Sequence, residues 1–217
     1  MTPVPSLQLI TSPHPDGFAA LAADVASALA AGVRLVQWRD KRSCAMEAVA
    51  QVGALKSLCL SHQARLIVND RLDVALAAGA DGVHLGEDDL PWQAARRLAP
   101  APFLLGVSVD REELLERAFE AQADYCGVGP AYPTQTKNDA GDPQPLMLFD
   151  KLVRKRGDRR LPIIAVGGIV PGGAARLIAA GADGVAVSAG ILKAANIAAA
   201  TRALIAELDE AHRAVRR

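Results

Sequence analysis

A ten-residue segment recurs in this chain. Ala77–Gly86 reads AAGADGVHLG and Ala179–Ser188 reads AAGADGVAVS. Each copy runs from a helix end through a glycine turn into a short apolar strand. Ala30–Arg39 (AAGVRLVQWR) and Ala121–Gly129 (AQADYCGVG) are weaker copies. All four lead into even-numbered strands once the chain is divided into strand–helix units. The two strong copies lie four units apart, which is half of an eight-unit barrel. A doubly wound open sheet has no need of that symmetry.

The units follow from hydrophobic periodicity and turn residues. Strands are expected at Leu7–Thr11, Val33–Trp38, Leu66–Val68, Gly82–Leu85, Phe103–Val107, Tyr125–Val128, Pro162–Val166 and Gly184–Val187. Helices are expected at Phe18–Ala31, Ser43 to His62, Leu72 to Gly79, Leu90–Ala99, Asp110–Gln122, Leu146–Arg156, Pro171–Ala180 and Ala194–Arg213. Ser43 is the expected cap of the second helix, whose apolar stripe is Met46, Val49, Val52, Leu55 and Leu58. Strict βα alternation calls for a parallel sheet. Eight units of about 27 residues call for one compact (β/α)8 TIM barrel spanning residues 1–217. Gly129–Pro145, GPAYPTQTKNDAGDPQP, is the longest stretch without periodicity and is expected to be an active-site loop.

Charge is balanced, with 24 basic and 24 acidic side chains, so no global field favours nucleic acid or an anionic membrane. Any anion must then be held by a local cluster. No apolar run reaches the ~18 residues of a membrane helix, and MTPVPSLQLITSPHP lacks the pattern of a secretory signal. Cys44, Cys59 and Cys126 are odd in number and widely spaced, which suits neither a disulfide framework nor a metal knuckle. A reduced, cytoplasmic setting is the expectation. Oligomeric state is left open.

Strands two to eight end in polar residues or glycine: Arg39 and Lys41, Asn69 and Asp70, Glu87 to Asp89, Ser108, Thr134 to Lys137, Gly167 and Gly168, and Ser188. In a barrel these ends converge on the face that carries active sites. Asp70 or Asn69 could simply cap helix three, and Asp88 or Asp89 helix four. Asp70 and Asp89 on adjacent strands, ~5 Å apart, would repel unless a cation or proton lay between them. Oxygen-only ligands suit Mg²⁺, which takes one or two carboxylates and substrate phosphates. Arg39, Lys41 and Lys137 are the matching cations. Gly167-Gly168 and Ser188 fit the phosphate site common between loops seven and eight of barrels. The residues therefore suggest two anion sites, one metal-linked and one simple. His84, inside strand four, is read as a hydrogen-bonded wall residue ahead of a catalytic base. Tyr132 and Trp38 could flank an aromatic substrate or merely pack.

With these residues in view, the chain resembles the thiamine-phosphate synthase family over nearly its whole length. The motifs are Gln37-Trp38-Arg39-Asp40-Lys41, Asn69-Asp70-Arg71, GADGVHLGEDDLP at Gly79–Pro91, Gly106-Val107-Ser108, DYCGVGPAYPTQTK at Asp124–Lys137 and Ala165-Val166-Gly167-Gly168-Ile169. The resemblance implies an enzyme that joins an aminopyrimidine diphosphate to a thiazole phosphate, with release of pyrophosphate. It implies that Gln37, Trp38, Arg39, Asp40, Lys41, Asn69, Ser108 and Lys137 bind the pyrimidine diphosphate. Arg39, Ser108 and Lys137 would act at the reacting centre, and Asp70 and Asp89 would hold Mg²⁺. Thr134, Gln135, Thr136, Gly168, Val187, Ser188 and Ala189 would take the thiazole phosphate.

Four positions depart from the family pattern. Asp40 stands where Glu is usual and Glu87 where Gln is common. Thr11-Ser12 replaces Thr-Asp, and Ser188 lies one residue before the usual serine, which aligns with Ala189. Two rival readings are a thiazole tautomerase, whose branch lacks the full acidic and diphosphate-binding set, and a non-catalytic phosphate-binding regulatory barrel. The latter would have lost its charged site residues, and here they are present.

Overall fold

The computed structural model describes residues 4–133 and 146–216. Eight parallel strands form a closed barrel in sequential order. They are β1 (Leu7–Ile10), β2 (Leu35–Trp38), β3 (Arg65–Asn69), β4 (Gly82–Leu85), β5 (Leu104–Ser108), β6 (Tyr125–Val128), β7 (Ile163–Val166) and β8 (Gly184–Val187). Closure comes from β8 pairing with β1, Leu7 opposite Val185. The helices in order are α1 (Phe18–Ala30), α2 (Ala45–Ser61), α3 (Leu72–Ala77), α4 (Trp92–Leu98), α5 (Glu113–Glu120), α6 (Leu146–Arg156), α7 (Ala174–Ala179), α8 (Ala189–Leu192) and α9 (Ile197–Val215). Among the described residues, no helix is long and apolar enough to cross a membrane.

Side-chain alternation along each strand makes two cores. Outward residues such as Val36, Val68, Val83, Val107 and Val185 pack against the helices. Inward residues Leu35, Ile67, Leu104, Tyr125, Ile164 and Ala186 fill the barrel. Gly106 is required by this filling: a Cβ there would stand 2.2 Å from the Tyr125 ring.

The repeated segments have a physical purpose at the strand entries. Asp81 Oδ2 accepts the Leu66 N–H at 2.7 Å while the carboxylate pairs with Lys56. Asp124 Oδ2 accepts the Leu105 N–H at 2.8 Å and Arg96 Nη2 at 2.7 Å. Asp183 Oδ2 accepts the Ile163 N–H at 2.8 Å and pairs with Arg156. Each aspartate thus ties an even strand to the odd strand before it and to a helix. In the weakest copy Arg34 takes this place and donates instead to the carbonyls of Leu29 and Val33.

The helix limits correct several expectations. α2 begins after Cys44, whose N–H donates to Glu47 Oε2, whereas Ser43 donates to Asp40. The buried face of α2 is Ala48, Val52, Leu55 and Cys59, and Met46 is 80% exposed at its first turn. Pro91 precedes α4 as its cap residue instead of lying inside it. The last helix starts three residues later than expected, at Ile197, where Asn196 Oδ1 accepts the Ala199 N–H, and a short helix, α8, precedes it. α5 buries Leu114, Leu115 and Ala118, as its pattern indicates.

Candidate active site

A cavity of about 830 Å³ opens at the carboxyl ends of the strands. Gln37, Arg39, Lys41, Asn69, Asp70, Asp89, Ser108, Gly168, Val187, Ser188 and Ala189 all border it, so the tertiary fold gathers most of the expected site. A smaller hollow of about 530 Å³ at the opposite face involves Asp183 and Arg213; Asp183 is already committed to a strand clamp.

β3 ends by placing Asp70 in a left-handed conformation, φ +63°, while its N–H still pairs with the His84 carbonyl at 2.8 Å. That turn directs the carboxylate into the mouth. The next loop directs Asp89 to the same place: Asp89 Oδ2 accepts the Gly86 N–H at 2.6 Å. Trp92 Nε1 braces the loop by donating to the Gly86 carbonyl at 2.8 Å. Neither acid caps a helix, since no side-chain cap bond forms at α3 or α4. Burial, then the neighbouring Asp89 carboxylate, pushes the Asp70 carboxyl up to about 6 from 3.8. Lys41 and Arg39 oppose that rise, with Lys41 Nζ 3.9 Å from Asp70 Oδ2. An acid whose proton affinity is raised by burial and by a neighbouring carboxylate, beside two cations, is an arrangement that a divalent cation and an anion could occupy.

A polar chain crosses the barrel beneath. Gln37 hydrogen-bonds the Tyr125 hydroxyl, which meets His84 Nδ1 at 2.9 Å, and His84 Nε2 meets Ser108 Oγ at 3.1 Å. Burial holds the Tyr125 phenol far above its usual range. His84 therefore has both ring nitrogens occupied, as expected of a wall histidine, and it orients Ser108.

Two residues of the expected pyrimidine set point elsewhere. Trp38 is outward and 1% exposed, with Nε1 donating to Gln51 Oε1. The Asp40 carboxylate accepts from the Arg42 N–H and Ser43 Oγ, shaping the β2–α2 turn. Strand alternation explains Trp38: Gln37 and Arg39 face in, so the residue between them faces out. Tyr132 does not stand free beside the site either; its hydroxyl donates to the Gly173 carbonyl.

On the opposite side, Gly168 has φ +68° and no room for a Cβ, which would come within 2.6 Å of the Pro133 carbonyl. Ser188 Oγ is buried without a hydrogen-bond partner among the described residues. Val187 borders the cavity while its side chain packs in the outer core. Thr134, Gln135, Thr136 and Lys137 lie outside the described residues. The polar cavity residues that escaped the sequence reading include Tyr125, Asp110, Lys193 and Gln8, whose buried Nε2 has no partner among the described residues. Gln8 and Tyr125 were detectable as polar groups at inward positions of otherwise apolar strands.

A parallel barrel with paired acids, cations and a glycine-lined pocket at its strand ends has the architecture of a (β/α)8 enzyme. Comparison with known proteins narrows the class. Residues 7–191 match the family described as thiamine monophosphate synthase, and the chain belongs to that family. It is 51% identical over 175 residues to a thiamine-phosphate synthase of Methanospirillum hungatei, covering 80% of this chain and 83% of the relative. A thiamine-phosphate synthase of Roseiflexus sp. is 43% identical over 210 residues, covering 95% and 88%. The solved thiamine phosphate pyrophosphorylase of Pyrococcus furiosus superposes with TM-score 0.82 at 31% identity, covering 95% and 96%. The chain is thus a transferase of thiamine biosynthesis.

Proposed function

We propose that the mouth formed by β2 to β5 binds an aminopyrimidine diphosphate with Mg²⁺, and that the β7–β8 side binds a thiazole phosphate. The observation that carries this reading is the Asp70–Asp89 pair beside Arg39 and Lys41. Among the described residues no group of three or more His, Cys, Asp or Glu side chains is arranged to hold a metal. Two carboxylates suit Mg²⁺, which keeps its remaining positions for water and substrate phosphate. When bound, the ion would neutralise charge on the departing pyrophosphate.

Arg39 and Lys41 would hold the diphosphate, joined by Lys137, which follows β6 in the sequence. Gln37 and Asn69 would orient the pyrimidine, and Ser108, fixed by His84, would sit at the reacting carbon. The C–O bond breaks with its electron pair leaving on pyrophosphate, and the thiazole nitrogen lone pair forms the new C–N bond. A carboxylated thiazole also releases CO₂. No strong base is needed, consistent with a site built for charge neutralisation and positioning. Gly168, Ser188, Ala189 and the Thr134–Thr136 segment would take the thiazole phosphate.

Purified protein given Mg²⁺ and both substrates should release pyrophosphate and form thiamine phosphate. Absence of coupling refutes the proposed substrates, and turnover that survives EDTA refutes the metal. The same assay separates a synthase from a tautomerase or a non-catalytic binder.

A further inference from the structure

The β4–α4 loop carries three consecutive acids, Glu87, Asp88 and Asp89, and all three border the cavity. Asp89 is turned inward by the Gly86 N–H. Glu87 is held differently. Arg111 Nη2 lies 2.6 Å from both its oxygens, and Arg117 Nη1 lies 2.8 Å from Oε1. The Arg117 guanidinium also sits 5.2 Å over the ring of Trp92, the residue that braces Gly86. Arg111 is further fixed by Asp110 Oδ1 at 3.0 Å. Arg111 comes from the β5–α5 loop and Arg117 from the last turn of α5, and unlike Arg39 and Lys41 neither borders the cavity.

A Glu87 carboxylate swung inward would join Asp70 and Asp89. It would then repel a diphosphate or displace a phosphate oxygen from the cation. We propose that Arg111 and Arg117 are positioning residues that hold the Glu87 carboxylate outside the diphosphate site. They thereby allow this chain to carry an acid there. The inference rests on the reading that the β2–β5 mouth takes a metal-bound diphosphate. It distinguishes charge removal from simple bracing of the loop, because the two make opposite demands on Glu87. If the clamp braces the loop, removing either partner is equally harmful. If it sequesters charge, Glu87→Gln is harmless and repairs the loss of arginine.

The test measures calorimetric binding of pyrophosphate in the presence of Mg²⁺, with KM for each substrate alongside, on folded variants checked by melting temperature. Arg111→Ala should weaken pyrophosphate binding and raise KM for the pyrimidine diphosphate about three- to tenfold, as expected for a partly exposed charge effect. KM for the thiazole phosphate should be unchanged. Glu87→Gln alone should match wild type, and Arg111→Ala with Glu87→Gln should return to wild-type values. Arg111→Gln serves as a second variant should the alanine form fold poorly. The inference is overturned if Glu87→Gln is as damaging as Arg111→Ala, if the double variant is not repaired, or if Arg111→Ala has no effect. Failure of the wild-type protein to bind pyrophosphate with Mg²⁺ would instead overturn the reading of the mouth.

Discussion

At Asp70 the backbone and the carboxylate both occupy unfavourable states. A left-handed φ costs a non-glycine residue roughly 1–2 kcal/mol. The carboxyl, raised to about 6 against 3.8 for a free side chain, adds up to about 3 kcal/mol of electrostatic cost at neutral pH. Because the folded state holds its proton more tightly, this contribution favours folding fully below pH 4 and is lost as pH rises to 6. Melting temperatures of metal-free Asp70→Asn and wild-type protein should therefore agree near pH 4, and the variant should be the more stable above pH 6. A constant difference across that range would show that repulsion is not the cause. Added Mg²⁺ should raise the wild-type melting temperature at pH 7.5 and leave Asp70→Asn nearly unmoved. Gln8 is the complementary case, a buried amide nitrogen unpartnered among the described residues. Gln8→Leu should be neutral or stabilising by about 1–2 kcal/mol in a denaturant melt, since an unsatisfied group is removed. A clear loss of stability would mean that the amide is satisfied by ordered water.

Among the elements, the three aspartate clamps account for the repeated segment that is so visible in the sequence. Their number and spacing were legible as GAD or QAD before even strands, but their partners were not. Lys56, Arg96 and Arg156 lie far away in sequence and are surface charges until the helices pack. Asp124 and Arg96 form the most buried of these pairs, at 4% and 11% side-chain exposure. Asp124→Ala should cost about 3–5 kcal/mol in a chemical melt, because it strands a buried guanidinium and the Leu105 N–H. Asp81→Ala, with more exposed partners, should cost less. Equal losses would assign the effect to the strand bond alone. The misplaced parts were helix ends: Met46 fits the apolar stripe of α2 yet lies 80% exposed. Periodicity alone does not say where a helix leaves the barrel.

Across the whole molecule, the proposed function gives the two strong repeats different tasks. The copy entering β4 leads to Glu87, Asp88 and Asp89, whereas the copy entering β8 leads to Ser188, Ala189 and Gly190. Thiazole phosphate should therefore raise the melting temperature equally with Mg²⁺ or with EDTA, while pyrophosphate should do so only with Mg²⁺. Metal dependence of both would dissolve the division. The barrel, its eight units and the acids and glycines at its strand ends were determined by the sequence itself, because side-chain period and turn chemistry are local. Only the tertiary structure decided which strand-end residues face the cavity. It turned Trp38 and Asp40 away, gave His84 to Tyr125 and Ser108, and tied Glu87 to Arg111 and Arg117. Those outcomes depend on barrel closure and on contacts between side chains distant in sequence, which no local pattern encodes.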